Sequence, residues 1–499
     1  MNNYIIKPLS IRKNEMLNRK DFCRYSLCPK DYRQLKSNNT NLKDFSNFII
    51  KKIRGKEIGS NSYIKKSNYR FLKTSNLGDN FLLDETTIEY CKKTIYVHPK
   101  QNDILIVKDG KGNGLGEVVL YDFKNENNYD LLSAGILGAR VKIEYLYYIL
   151  GILKTRYFKN FIDVNTAQGS TMRHSKEEAY NFYIPFPTRK NNQNPKDIEN
   201  LVSLIVQNII DKEKLIKLKN KNIDEQTMNE LKANQKAEKF KYSYPKINEL
   251  KEVKRLDTGL YEKEYKLNYS LIKNYSNGYF NIPIENFKSG STPKIRIFNA
   301  KRDGYRWITP TNIEDVGFYK PIEKIFMPTT NNLKKDAILF INRTSKGKKG
   351  EYVGISCFYD YKYYGQGHHN QGIYRVENFK KDEKLFIVAF MNANIMRKIC
   401  GCISIGSKMQ EMKIYDFSKL IFPCFPEKVK KVICKNYYNE VNVLSNLTLD
   451  NYLKKHKERN KSLGIFQLNM EMFELKKKLE ELVYKILMNK PIIINEYFN

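Results

Sequence analysis

Phe71-Leu72-Lys73-Thr74-Ser75-Asn76-Leu77 is answered 236 residues later by Trp307-Ile308-Thr309-Pro310-Thr311-Asn312-Ile313. The match is one of five. Arg19-Lys20-Asp21-Phe22-Cys23-Arg24-Tyr25 aligns with Arg255-Leu256-Asp257-Thr258-Gly259-Leu260-Tyr261. Asn102 to Val107 aligns with Lys335 to Phe340, and Gly169-Ser170-Thr171-Met172 with Gly406-Ser407-Lys408-Met409. Ile184-Pro185-Phe186-Pro187 aligns with Phe422-Pro423-Cys424-Phe425-Pro426. The blocks keep their order, and the offset drifts only from 233 to 238. Units this long are too large for a solenoid repeat. The chain is therefore read as two domains of one fold, presenting two similar surfaces and suited to a ligand with two sites.

Within each unit the hydrophobic pattern is mixed, giving an α+β class. Ile104 to Val107 and Ala337 to Ile341 read as buried strands, each running into a Gly/Lys turn (Lys108 to Gly116, Arg343 to Gly350). Val118 to Tyr121 and Tyr352 to Ile355 read as returning strands, and Val141 to Tyr157 and Leu385 to Ile399 as helices. Proline blocks then close each mixed region, because proline cannot donate to a sheet ladder. After Pro195, Ile198, Val202, Ile205, Ile209, Ile216 and Ile223 fall on a four–three spacing whose gaps are filled by Lys212 and Lys219. Leu475, Leu479, Leu482 and Ile486 repeat that spacing near the other end. A narrow apolar stripe wants a partner helix, so the two regions are expected to pair antiparallel; separate docking on their own domains is the alternative.

The ligand class follows from charge. The formal charge is +34, an excess that says more about partners than about fold. Lysine dominates it, and Asn, Ile and Tyr are abundant, as an AT-rich coding sequence would give. That bias adds lysine without depleting Asp and Glu, so a polyanion remains the favoured partner. No run of 18 apolar residues is present, and Met1 to Ser10 has no signal-like core. Cys23 and Cys28, and Cys400-Gly401-Cys402, lack the second pair or histidines of a zinc site. A reduced, cytoplasmic setting without a membrane is expected, and no metal.

Ser289-Gly290-Ser291-Thr292-Pro293-Lys294, Trp307 to Ile313, and Asp336 to Phe340 followed by Asn342-Arg343-Thr344 resemble the target-recognition domain of type I restriction-modification specificity subunits. That family has a Gly-Gly-Thr-Pro-like start, a Trp-Ile-Thr-like strand and a strand leading into an Arg-Gly-Thr-like loop. The Gly-Ser-(Thr/Lys)-Met blocks, the proline terminators and Leu479 to Ile486 look like its closing elements. The first unit departs from the pattern, with Gly55-Lys56-Glu57-Ile58-Gly59-Ser60 at the start and neither Trp nor Arg in the later motifs.

The resemblance implies two pseudo-repeated target-recognition domains, residues 1–195 and 241–426, separated by long paired helices in residues 196–240 and 427–499. It implies a non-catalytic subunit that binds a bipartite double-stranded DNA site. Its partners would be methyltransferase subunits, two of them, and a nuclease-translocase subunit. S-adenosylmethionine would sit on the methyltransferase partner, with no cofactor in this chain. Half-sites one turn apart lie roughly 34 Å apart, and a helix from Pro195 to Gln235 spans at most roughly 60 Å. The alternative is a stand-alone DNA-modifying or DNA-cleaving enzyme. Against it, the chain has no Asn-Pro-Pro-Tyr-like block, and Gly110 to Gly116 leads into a strand rather than the helix a dinucleotide fingerprint needs.

Candidate DNA contacts follow from residue chemistry. Arg343 can fork onto guanine, while Thr344, Lys346, Lys348 and Lys349 extend a basic loop for phosphates. A solvated hairpin tip is the bland alternative. Lys108, Lys111 and Asn113 are the first unit's counterpart. Gln366, His368, His369, Asn370 and Gln371 cluster side chains able to read base edges. Gln168, Ser170, Thr171 and Arg173, with Lys408 and Gln410 opposite, are further candidates. So are Lys73, Ser75 and Asn76 in one unit, and Ser291, Thr292, Lys294, Thr309, Thr311 and Asn312 in the other. Trp307, the only tryptophan, reads as core. The Asp-Tyr pairs Asp21/Tyr25 and Asp257/Tyr261 read as braces rather than catalytic groups.

Overall fold

Ile104–Val107 is four apolar residues in a row and all four are buried, as a strand covered on both faces requires. It lies inside an antiparallel sheet ordered Val118–Leu120, Ile104–Val107, Ile136–Val141, Ile49–Arg54. The second repeat rebuilds that sheet strand for strand: Ser356–Tyr359, Ala337–Ile341, Ile373–Val376, Lys288–Ser289. A second sheet also recurs. In the first repeat Tyr129–Leu132 pairs parallel with Tyr69–Leu72, which pairs antiparallel with Glu89–Cys91. In the second, Gly367–His369 pairs parallel with Tyr305–Ile308, which pairs antiparallel with Ile325–Met327. The repeat read from the sequence is thus a repeat of topology. The structure is a computed structural model. It describes residues 4–14, 32–86, 88–92, 98–111, 114–123, 129–166, 171–236, 240–253, 255–292, 297–298, 305–320, 325–327, 330–345, 352–406 and 408–498. Asp21, Tyr25, Cys23 and Cys28 lie outside them.

The structure differs from the sequence expectation in the helices and in two strand bounds: Val141 ends a strand rather than opening a helix, and the second returning strand is Ser356–Tyr359 rather than Tyr352 to Ile355. Each single helix expected after the sheet is two: Leu146–Leu153 and Arg156–Val164, then Lys381–Asn392 and Asn394–Ile403. The breaks fall at extended residues, Thr155 and Ala393. In both places a carboxylate from a long helix takes the first backbone N–H of the second helix. Arg156 donates to Glu480 at 3.1 Å, and Asn394 to Asp224 at 2.7 Å. An anion at a helix N-terminus satisfies an otherwise orphan donor and the helix dipole together. Apolar periodicity is continuous across such a break, so the pattern alone hides it. Among the described residues no single helix is long and apolar enough to cross a membrane; the apolar pair Lys381–Asn392 and Asn394–Ile403 is bent by 69°.

The chain divides into two compact units: Met1–Lys214 with Asn442–Lys461 and Glu471–Asn499, and Leu215–Val441 with Ser462–Met470. The long helix Pro195–Ala233 contributes to both. In the first unit its early turns run antiparallel to the helix Ile465–Leu487. Val202, Val206 and Leu479 crowd the same glycine, Gly151, while further along Lys212 meets Glu471. The apolar stripe is wider than the spacing suggests, because Leu201, Val206 and Ile210 are buried beside Ile198, Val202, Ile205 and Ile209. The helix pairs with its partner and docks on its own domain at once. Lys212 is wholly buried in the seam, donating to Asn460 Oδ1 and Glu471 Oε2, both at 2.6 Å. Arg459 also pairs with Glu471, at 2.7 Å. In the second unit Ile216, Ile223 and Leu231 are buried, and Glu230 accepts from Tyr275 at 2.6 Å. Asp257 there pairs with Arg255, and Tyr261 donates to the Arg255 carbonyl; the bonds to the Ile403 carbonyl and Asp416 are made by Arg255.

Candidate nucleic-acid interface

In each repeat a two-stranded ribbon leaves the end of the central buried strand. Asp109–Gly110 pairs with Arg173–His174, Arg173 opposite Gly110 and His174 opposite Asp109. Arg343–Thr344 pairs with Gln410–Glu411, Gln410 opposite Thr344 and Glu411 opposite Arg343. The register is the same, so in both units the two residues that follow the Gly-Ser-x-Met block pair with residues just after the buried strand. Sequence distance had hidden that pairing.

A turn packs beside each ribbon. Thr74–Asn76 and Pro310–Asn312 are 3₁₀ turns. In each, an asparagine side chain accepts the backbone N–H three residues earlier: Asn76 from Lys73 and Asn312 from Thr309, both at 2.8 Å. Turn and ribbon meet at a glycine. A Cβ on Gly135 would come within 2.7 Å of Thr74 Cγ2 and 3.5 Å of Asp109 Cβ. A Cβ on Gly372 would come within 2.9 Å of Pro310 Cγ and 3.2 Å of the Arg343 carbonyl. The Gly135 carbonyl accepts from Lys108 and Asp109, and the Gly372 carbonyl from Asn342 and Arg343. Only glycine lets backbone approach this closely. Sequence reasoning missed both glycines, although the shared Gly-Ile pair (Gly135-Ile136, Gly372-Ile373) marked them.

The candidate side chains separate into presented and structural groups. Ser75, Lys111 and Thr171 are exposed in the first unit, and Lys108 is half-buried. Ser291, Thr292, Thr311, Arg343, Gln366, Gln371 and Lys408 are exposed in the second. The Arg343 guanidinium meets no partner among the described residues. Asn76, Asn312, Thr344 and Gln410 are buried and belong to the scaffold. Lys73 is bound to Glu89 at 2.6 Å; burial opposes its charge, but the Glu89 and Tyr63 contacts outweigh that and raise its pKa. Arg173 is held by Asp163 at 2.6 Å and by the Thr166 carbonyl, bracing the first ribbon. Asn370 accepts the Gly372 N–H, and Thr309 bonds Thr311 and Asn312.

His368 and His369 are corrected by the structure. Both are buried: His368 Nε2 lies 2.9 Å from Ser291 Oγ, and His369 Nδ1 lies 2.8 Å from Asn332 Oδ1. Burial, then the charge of Arg375, pushes His369 down to about 3, so it is neutral near pH 7. These rings position the Ser291 and Asn332 segments and do not face solvent. Trp307 is buried as expected. Asn113, Gln168, Ser170, Lys294, Lys346, Lys348 and Lys349 lie outside the described residues.

No protein-family model matches the chain. No curated protein matches it significantly either. Solved structures do resemble it. One is a type I restriction-modification system S subunit from M. genitalium, 13% identical, covering 92% of this chain and 98% of that one, with a TM-score of 0.38. Another, from work on complex assembly and conformational transition of the type I R-M system, is 10% identical, covering 91% and 99%, with a TM-score of 0.28. A third is the HsdS subunit from Thermoanaerobacter tengcongensis, 10% identical, covering 89% and 96%, with a TM-score of 0.26. All three likenesses run along most of this chain's length. The superpositions are loose, and the fold rests on the chain's own duplicated topology.

Proposed function

We propose that this chain is a sequence-specific DNA-binding subunit in which each repeat reads one half of a bipartite double-stranded site. The observation that carries the reading is the site itself: one ribbon, one turn and one close-approach glycine, rebuilt register for register in both repeats. A two-stranded ribbon fits the major groove, where every base pair has a distinct edge. The +34 charge supplies the sequence-independent attraction to phosphates. The presented residues, Ser75, Lys111 and Thr171 in one repeat and Ser291, Thr311, Arg343, Gln371 and Lys408 in the other, are its contacts. Residues 1–195 and 241–426 are the recognition domains in this reading, and the helical segments of 196–240 and 427–499 are the spacers.

The chain acts in the cytoplasm, without catalytic groups of its own. It directs adenine-N6 methyltransferase subunits, which bind S-adenosylmethionine, and a nuclease-translocase subunit that joins for restriction. The test is selection of bound duplexes from a random pool by the purified chain. A motif of two short halves separated by an unread gap is the expected result; one contiguous motif, or none, overturns the reading. The pure chain, given Mg²⁺ or S-adenosylmethionine, is expected to leave plasmid DNA uncut and unmethylated.

A further inference from the structure

Resting on that reading, the geometry points to Met172 and Met409 as paired base-reading residues, each sensing a thymine through its 5-methyl group. The two occupy one position in the duplicated site. Met172 directly precedes Arg173, which pairs with Gly110; Met409 directly precedes Gln410, which pairs with Thr344 in the same register. Both are exposed, 41% and 45%. Among the described residues of this strand everything around them has changed: Thr171 against Lys408, Arg173 against Gln410, His174 against Glu411. Of the side chains flanking the ribbon on this strand, the thioether is kept, as is the Gly-Ser pair that precedes it by two residues.

The second ribbon shows how the side chain is offered. Ile405 and Glu411 exchange backbone hydrogen bonds at 2.9 Å, closing a short hairpin. Gly406 turns it with φ +91°, where a Cβ would lie 2.1 Å from the Met409 carbonyl. Lys408 and Met409 are exposed just before Gln410 and Glu411, and Arg343 lies across the ribbon from Glu411. A single exposed apolar side chain needs no explanation. Two at one register, each on a ribbon that is otherwise mostly polar, call for an apolar partner on an otherwise polar ligand. The thymine methyl is the apolar feature of the major-groove edge, and methionine's unbranched, polarizable chain adapts to it. Each half of the site therefore contains a thymine at the position facing this methionine.

The experiment uses the full chain and its Met172→Ala, Met409→Ala and Met409→Leu variants on the duplex enriched by the wild type, with single thymines replaced by deoxyuridine. Both side chains are exposed, so thermal unfolding is expected to be unchanged. Wild type should bind about four-fold more weakly when one particular thymine in either half loses its methyl, the worth of one buried methyl group. Met409→Ala should abolish that discrimination in one half only, Met172→Ala in the other, and Met409→Leu should retain it. If a bipartite motif is enriched but its thymine-to-uracil ratio survives both alanine variants, the methionine proposal falls and the DNA-binding reading stands. If wild type enriches no sequence, both fall together.

Discussion

The two ribbons share register and differ in charge. Where the first has Asp109 facing His174, with the side chains 3.0 Å apart, the second has Arg343 facing Glu411. Arg173 in the first is tied down by Asp163; its counterpart Gln410 is buried. Deeper in, Leu131-Leu132 of the first repeat stands where His368-His369 stands in the second, on strands that pair parallel with the same neighbour. Backbone geometry has been kept while the surface and one inner layer have been rewritten. A duplicated fold can hold the position of a reading element constant and vary what it reads, because a two-stranded ladder is specified by main-chain groups that any residue supplies.

The rewriting extends to what stabilises each repeat, and that asymmetry gives the largest expected effect. Asp103 is wholly buried and accepts from Arg140 at 2.8 and 2.9 Å and from the Lys100 N–H at 2.6 Å. Its counterpart Asp336 is half-buried and takes the Tyr361 N–H at 2.9 Å. Asp103→Ala leaves Arg140 and a backbone donor without their acceptor and is expected to cost about 3–5 kcal/mol. Asp336→Ala should cost about 1 kcal/mol. Denaturant unfolding of the two variants measures the difference; equal losses would mean that the repeats are held alike after all.

Acid should separate the repeats next. His369 is depressed by burial to about 3 from an ordinary 6.5. A depressed group contributes stability that is present above its unfolded pKa and is lost as pH falls towards its folded one. The second repeat should therefore lose roughly 2–3 kcal/mol between pH 7.5 and 4.5 through this ring. His369→Leu, which copies Leu132 of the first repeat, should flatten that part of the stability–pH curve. An unchanged slope in the variant would show that the ring is hydrated in solution.

How far the sequence disclosed this site depends on the kind of interaction. Strands such as Ile104–Val107 are legible because burial on two faces leaves an unbroken apolar run. The duplication was legible because blocks recur in order. The helix breaks at Thr155 and Ala393 were not, since the capping carboxylates Glu480 and Asp224 lie 324 and 170 residues away. Residue chemistry also overstated the readers. Asn76, Asn312, Gln410, His368 and His369 are polar side chains in a loop-like sequence, yet each is spent on scaffold. Only the fold shows whether an amide faces its own backbone or solvent. Lys212 inverts the lesson: a lysine in an apolar seam looks like an interruption and is a buried donor to Asn460 and Glu471.

Arg343 and Arg173 sharpen the comparison at the level of reading. Arg343 is exposed and meets no partner among the described residues, whereas Arg173 is braced. Arg343→Ala should cost about 1–3 kcal/mol at one base pair of one half-site, by loss of a forked contact to guanine, and leave thermal stability unchanged. Arg173→Ala should instead lower stability and weaken the other half without changing its preferred bases. Selected-duplex sequencing with thermal unfolding distinguishes the two. If Arg343→Ala leaves both motif and affinity intact, the second ribbon is a solvated turn and the reading surface lies with Gln366 and Gln371.

The smallest expected effect concerns the lysines, and it tests whether both ribbons touch phosphate. Lys111 and Lys408 are exposed on the two ribbon segments. A lysine that neutralises one phosphate releases one condensed counterion, so its loss lowers the slope of log affinity against log salt by about 0.9. Lys111→Ala and Lys408→Ala should each do this on every sequence alike, with no change in the preferred motif, and the double variant should sum the two because the sites are independent. Salt-titrated binding from low to physiological ionic strength reads the slopes. A slope lowered by Lys408→Ala alone would mean that the second ribbon docks on the backbone while the first does not, so that the shared register would no longer imply a shared mode of approach.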